Sequence, residues 1–456
     1  MSDVLQSALK TKLQAVLDNY VSGSTDASTV LNVSLSVWAQ NEANILVVTS
    51  VADLPYLEYY SSPNSILCFI SNIGVFAISS NLKWLTLDGR LLRNDTASVG
   101  TTFSWGVNVS GQLGDNTTTT RSSPVSVVGG FIDWCDTGAG LYHNLAVRVN
   151  GTAWAWGTAG EGRLGDNAIT NRSSPVSVVG GFTDWCQISA GCTHSSAVRT
   201  SGSAWGWGDA TYGKLGSNSI TSRSSPVSVV GGFSDWCQIS GGGCHTAAVR
   251  SNGTAWSWGI NNCGQLGENA TTSRSSPVSV VGGFTDWCQV SAGCQHSGAV
   301  RTSGSAWAWG ANGSGRLGDN TSATNSSPVS VVGGFSDWCQ ISAGCAHTVA
   351  VRTGGTVWSW GFNFTGQLGD CTTTARSSPV SVVGGLTSWC SVSGGCSHSL
   401  AVRTNGSAWG WGRNCCGQLG DNTTTNRSSP VSVVGGFTNW CQVNAGANAS
   451  LGIRSV

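Results

Sequence analysis

The side chains best suited to chemistry are six histidines, His143, His194, His245, His296, His347 and His398, each 51 residues from the next. Two residues before four of them stand Cys192, Cys294, Cys345 and Cys396. In an extended strand that spacing puts thiol and imidazole on one face, and thiolate plus imidazole is a zinc donor set. Three features point to a structural pair instead. One cysteine is displaced to Cys244, Ala449 stands where a seventh histidine belongs, and no Cys-x-x-Cys spacing occurs. The expectation is a buried histidine whose ring nitrogens are taken up by backbone, beside a small packing thiol, with no metal and no cofactor. The 17 cysteines are an odd number, and they read as reduced thiols filling small buried spaces. A link from Cys186 to Cys192 would span roughly 20 Å along an extended strand, beyond the reach of a disulfide.

A residue present in every repeat serves the repeat, so function belongs to the positions that vary. Arg199 and its equivalents recur throughout, and Asp184 recurs with Ser388 and Asn439 as exceptions; these read as blade-to-blade ion pairs or backbone ligands. The carboxylates outside repeated positions, Asp136, Glu161 and Asp209, form no acid/base pair in sequence. No phosphate-binding loop, nucleophile elbow or dinucleotide fingerprint occurs, so the chain reads as a non-enzyme. The loops after each Trp-Gly vary most. Their large or charged residues, Tyr212, Phe362, Phe364 and Arg413, are the candidate contacts for a ligand or partner.

These groups ride on a regular scaffold. Seven prolines, Pro124 to Pro430, and seven tryptophans, Trp134 to Trp440, keep the 51-residue period without a slip. A period near 50 that is rich in Trp and Gly points to propeller blades. One unit parses as four short strands: "WCQIS" (185–189), "HSSAVRT" (194–200), "SAWGWG" (203–208) and "SSPVSVVGG" (224–232). The repeat positions that define it are Trp185, His194, Trp205, Trp207 and Pro226. Pro226 at the start of the fourth strand suits an outer edge. Trp205 and Trp207 share a face, while Ala204 on the other face leaves room for the next blade's indole. The repeats begin inside a third strand at 102 and stop after a second strand, so one blade needs both ends of the region. The fold expected is all-β: a closed seven-bladed β-propeller of four-stranded blades over 102–456, with a small N-terminal α+β attachment unit.

That unit divides into a helix and linker over 1–28 and a small meander over 29–101. Leu5, Leu9, Leu13, Val16 and Leu17 form one helical stripe suited to attachment or oligomerisation. "SILCFI", "GVFAISS" and "KWLTLDG" read as antiparallel strands. No signal peptide and no run long enough to span a bilayer is evident. Charged residues are only 10% of the chain and the net charge is zero, so no nucleic-acid or membrane partner is expected.

The segments "AGCQHSGAVRTSGSAWAWG" and "CGQLGENATTSRSSPVSVV" resemble the repeat of the regulator of chromosome condensation family. That resemblance covers 103–456 and implies the propeller fold, with members that include a small-GTPase exchange factor and plain interaction scaffolds. "VTSVADLP…SILCFISNIGVFAISSNLKWLTLDG" resembles a segment of bacteriophage tail and appendage proteins, as do near-identical Thr-, Asn- and Gly-rich blades. Together these imply a virion structural protein, assembled in the host cytoplasm. It would bind other virion proteins through 1–101 and a host glycan or protein through its loops, and could form a homo-oligomer. The alternative is a cellular interaction scaffold or small-GTPase exchange factor.

Overall fold

The structure is a computed structural model that describes residues 99–455, together with the backbone of five earlier strands. The chain divides into two units, 1–97 and 98–456. In the first unit, Leu46–Val48, Leu67–Ile70, Val75–Ser80, Lys83–Thr86 and Leu91–Asn94 form one sheet in sequence order. The first pair is parallel and the rest antiparallel. The expected helix bearing Leu5, Leu9, Leu13, Val16 and Leu17 lies outside the described residues.

The second unit is a propeller of four-stranded blades. Five blades are separate sheets; the other two are joined into one eight-stranded sheet by a single bridge between Gly100 and Trp134. The blades are numbered here from the one that begins at Trp134. Blade two has strands Trp185–Ala190, His194–Arg199, Ala204–Gly208 and Arg223–Ser228, paired antiparallel in that order. Blade seven takes Trp440–Ala445 and Ala449–Ser455 from the end of the chain and Gly100–Gly106 and Arg121–Ser126 from the start of the unit. Its central pairing runs from Ala449 against Gly106 to Ser455 against Gly100.

Small-against-large packing fills the gaps between blades. Ala204 and Val198 of blade two pack with Trp236, Ile239 and Trp258 of blade three. Trp207 and Trp185 of blade two pack with Leu145, Ala153 and Ala155 of blade one. An aromatic of this size buries about 200 Å², worth roughly 5 kcal/mol before chain entropy is counted. The indoles also tie blades together by hydrogen bonds: Trp258 Nε1 donates to the Lys214 carbonyl at 3.0 Å.

Several local expectations are corrected. Pro226 is not at the start of its strand but inside it, on the outermost edge. The register slips between Gly206 and Gly208, so residues 224–226 face a bulge and the missing Pro N–H costs no ladder bond. The Arg–Asp pairs lie within blades, not between them: Arg199 Nε meets Asp184 Oδ1 at 2.7 Å, with the guanidinium 4.2 Å over the Phe182 ring. The cysteines of the Trp-Cys pairs are not buried filler. Cys186 is exposed, and its thiol donates to the Val198 carbonyl at 3.4 Å.

Candidate functional site

The turn between the first and second strands carries Gly191 and Cys192 in blade two, and its equivalents in all seven blades line one small mouth. The residues at the Cys192 position are Leu141, Cys192, Gly243, Cys294, Cys345, Cys396 and Ala447. Each donates its backbone N–H to the preceding-position glycine carbonyl of the neighbouring blade. The series runs from Leu141 N to Gly191 O through Ala447 N to Gly140 O, at 2.9 to 3.4 Å. The glycine is dictated by this approach: a Cβ on Gly191 would stand 2.6 Å from the Gly242 carbonyl oxygen and 2.5 Å from His194 Cε1. The mouth encloses about 70 Å³. That is far below the roughly 300 Å³ of a small-molecule pocket, so it suits an ion or a water rather than an organic ligand.

Behind the mouth lie the histidines, all fully buried. Their rings do not satisfy blade backbone, as the sequence suggested. Each Nε2 meets a hydroxyl of the next blade: His143 to Ser195, His194 to Thr246, His245 to Ser297, His296 to Thr348, His347 to Ser399 and His398 to Ser450, at 2.8 to 3.0 Å. The hydroxyl proton is already committed, since Thr246 donates to the Lys214 carbonyl and Ser297 to the Gln265 carbonyl. Nε2 must therefore be the donor, which leaves the ring neutral and Nδ1 unprotonated and without a partner. Burial pushes His143 and His398 down to about 3 and His245 and His347 to about 4, and holds His194 and His296 well below the usual imidazole value.

Three of the mouth thiols converge. The Sγ atoms of Cys294, Cys345 and Cys396 all lie within 4.8 Å of one another, and each adjacent pair has Cα atoms 4.4 Å apart. Each of these cysteines meets its neighbours 51 residues away and not, as its spacing suggested, the histidine on its own strand. The signal that could have found them was the glycine before the mouth position, present in all seven repeats, which marks a close approach between blades.

Asp136 replaces the glutamine found at this first-strand position in five blades. Gln187 Oε1 accepts from Ile239 N at 2.8 Å, and Asp136 Oδ2 accepts from Ile188 N at 3.0 Å in the same way. Burial raises its carboxyl to about 6, against hydrogen bonds from Gln442, Ile188 and Thr137. In blade two, Asp209 pairs with the buried Lys214 at 2.6 Å. Burial raises the Asp209 carboxyl, but the Lys214 and Thr211 contacts outweigh it and hold the group well below the usual carboxylate range.

The variable loops surround the mouth at the same end, because Gly208 at the loop's origin pairs with His194, just after the mouth turn. Five of these loops are pinned by an asparagine; Asn363 Nδ2, for instance, reaches Asp370 and its Oδ1 accepts from Leu368 N. Blades one and two have Ala159 and Ala210 there and make a short 3-10 turn, with Glu161 and Tyr212 in the left-handed region at φ 60° and 63°. The structure brings Phe362, Phe364 and Arg413 to the adjoining loops of blades five and six. Phe362 and Phe364 stack with centroids 6.3 Å apart. Tyr212 sits apart on the loop of blade two and is exposed. Arg413 Nε reaches Cys415 Sγ at 3.2 Å. Among the described residues no helix is long and apolar enough to cross a membrane.

A family model described as an RCC1-like domain matches residues 220–455, and one described as the regulator of chromosome condensation (RCC1) repeat matches 100–147 and 150–198. The ultraviolet-B receptor UVR8 of Arabidopsis thaliana is 31% identical over 306 residues, 65% of this chain and 68% of that protein. The E3 ubiquitin-protein ligase HERC2 of Homo sapiens is 32% identical over 276 residues, 58% of this chain but 6% of that protein. The solved structure of Prp20p from Saccharomyces cerevisiae, reported with its binding properties to Gsp1p and histones, has a TM-score of 0.70 at 20% identity. It covers 79% of this chain and 94% of that one, a likeness of fold. The plant and human relatives correct the expectation of a bacteriophage tail-fibre or host-attachment protein with other virion proteins as partners. The near-identical Asn- and Gly-rich loops that suggested it have a backbone cause. Asn116, Asn167, Asn218, Asn269, Asn320 and Asn422 all hold positive φ, a conformation that favours Asn and Gly.

Proposed function

Because this chain belongs to the RCC1-like family, we propose that its propeller is a cellular protein-binding platform, using the end that carries the mouth and the variable loops. The role is recognition rather than catalysis. The observation that carries it is the exposure of large apolar side chains on those loops: Val109 at 71%, Tyr212 at 52% and Phe364 at 76%. Aromatic side chains standing on braced backbone are the usual anchors of an interface. The loops that bear them differ from blade to blade, while the blade cores repeat.

We further infer that the ring closes and that residues 1–101 form a separate N-terminal unit. Closure is supported by the seven hydrogen bonds around the mouth and by Gln442 Nε2 of blade seven donating to Asp136 Oδ1 of blade one at 3.0 Å. Removing 439–456 strips two strands from one blade and should abolish cooperative unfolding; a truncated chain that stays monomeric with unchanged melting would refute closure.

The binding role is tested by affinity capture from eukaryotic extract with the full chain and with a Tyr212→Ser, Phe364→Ser double variant of equal thermal stability. The proposal expects a discrete partner captured by the wild type and lost from the variant. Equal capture by both would overturn it. Faster nucleotide release from a captured small GTPase would give the binding an exchange function.

A further inference from the structure

We propose that Cys294, Cys345 and Cys396 form a tris-thiolate site for a thiophilic cation of the Zn²⁺ or Cu(I) class, set in the mouth of the propeller. The site goes beyond the binding role above and does not depend on it.

Blades four, five and six each contribute one thiol from the same turn position, so the three sulfurs converge from adjacent blades to within 4.8 Å of one another. In a tetrahedral site with Zn–S of about 2.3 Å the sulfurs stand roughly 3.8 Å apart, so the Cys345 sulfur, which touches the sulfurs of both Cys294 and Cys396, has to move away from each to admit the ion. Cys345 lies in disulfide reach of both Cys294 and Cys396, with Cα–Cα of 4.4 Å on each side. A sulfur makes only one disulfide, so oxidation would always leave one of the three unpaired. A shared cation engages all three at once.

The surroundings select the class of ion. The residues lining the mouth are Gly, Ala, Leu and Cys, with no carboxylate and no imidazole. The glycine carbonyls there already accept the hydrogen bonds between blades. Thiols are thus the only side-chain ligands offered, which disfavours hard cations and suits soft ones. The fourth position opens to the mouth, where Cys192 is the remaining thiol at an equivalent ring position. A divalent ion with three thiolates carries one net negative charge. Arg316 is placed to balance it: its Nη1 donates to the Cys345 carbonyl at 3.2 Å. Among the described residues Arg316 makes no ion pair, and its Nε is buried without a partner. A guanidinium bonded to the carbonyl of the central cysteine favours thiolate over thiol there.

The test uses the full chain, purified under reductant and stripped of metal, then titrated with Co²⁺ as a spectroscopic probe and with Zn²⁺ against a chromophoric chelator. The expected result is a cobalt–thiolate charge-transfer band that saturates at one ion per chain and is displaced by Zn²⁺. Cys345→Ser and, separately, Cys294→Ser should weaken Zn²⁺ by more than about 100-fold, the upper end for loss of a mere outer-shell partner. Cys186→Ser, on the exposed outer thiol, should leave it unchanged. Circular dichroism confirms that each variant folds. The proposal is overturned if the wild type shows no thiolate band, if Cys345→Ser binds as tightly as wild type, or if the protein as isolated contains a disulfide within this trio that persists under mild reductant and blocks the ion.

Discussion

The histidine position and the mouth position lie two residues apart on the same turn of each blade. The first holds the same residue in six blades, fully buried and bonded to the next blade. The second holds four residue types and lines the open mouth. Repetition marks what the gap between blades demands, since a neutral imidazole donating to a committed hydroxyl leaves little freedom. Variation marks what the blade does not need. Adjacent rings of one scaffold therefore divide into a structural girdle and a site free to acquire chemistry.

The largest effect expected of this division is acid sensitivity. Each folded imidazole lies below its unfolded value of 6.5, so on acidification the unfolded chain binds the proton first. Stability present above pH 6.5 is lost as pH falls toward the folded values, at about 1.4 kcal/mol per pH unit for each histidine. By pH 5 the six together should cost roughly 12 kcal/mol, as an upper bound. Urea midpoints should drop steeply between pH 7.5 and 5; a flat profile would break the girdle reading.

Substitution sharpens the contrast. His296→Ala should cost about 2–4 kcal/mol, from a cavity and a lost buried hydrogen bond, whereas Cys192→Ala in the mouth should stay within about 0.5 kcal/mol. Equal losses would show that the mouth is as structural as the girdle.

Asp136 is the place where the girdle's logic runs the other way. Its folded carboxyl, near 6, lies above its ordinary 3.8, so its contribution is full below pH 3.8 and lost as pH rises through 6. The two-unit shift is worth up to about 3 kcal/mol at pH 7. Asp136→Gln restores the residue of five other blades and should raise stability by up to that amount at pH 7, with the gain vanishing near pH 4. In the wild type this slope opposes that of the histidines between pH 4 and 6, and six groups outweigh one.

The blades were legible because a 51-residue period and two-residue alternation both constrain one strand at a time. Trp205, Trp207 and Ala204 fall where their spacing puts them, and His194 is buried as read. What sequence could not deliver is who meets whom across a gap. The partner of His194 is Thr246, 52 residues on, and the partner of Cys345 is Cys294, 51 residues back. The Arg199–Asp184 pair was misassigned for the same reason: spacing says which positions recur, not which strands fold back on each other. Loop composition misled most directly, since asparagines required by positive φ resembled a lineage signature.

The smallest effect separates strain from recognition on the rim. Tyr212 and Glu161 occupy the same loop position in neighbouring blades and hold nearly the same left-handed backbone, at φ 63° and 60°. An L-residue there costs about 1–2 kcal/mol that glycine avoids, less glycine's greater entropy loss on folding. Tyr212→Gly and Glu161→Gly should therefore each leave stability unchanged or raise it by up to about 1 kcal/mol. The two should part in binding. Tyr212 presents a half-exposed aromatic ring to solvent, and its removal should weaken partner capture, whereas Glu161→Gly should not. If both variants lose the partner, the strained turn itself is what the partner reads; if neither does, the contact surface lies with Phe362, Phe364 and Arg413 across the mouth.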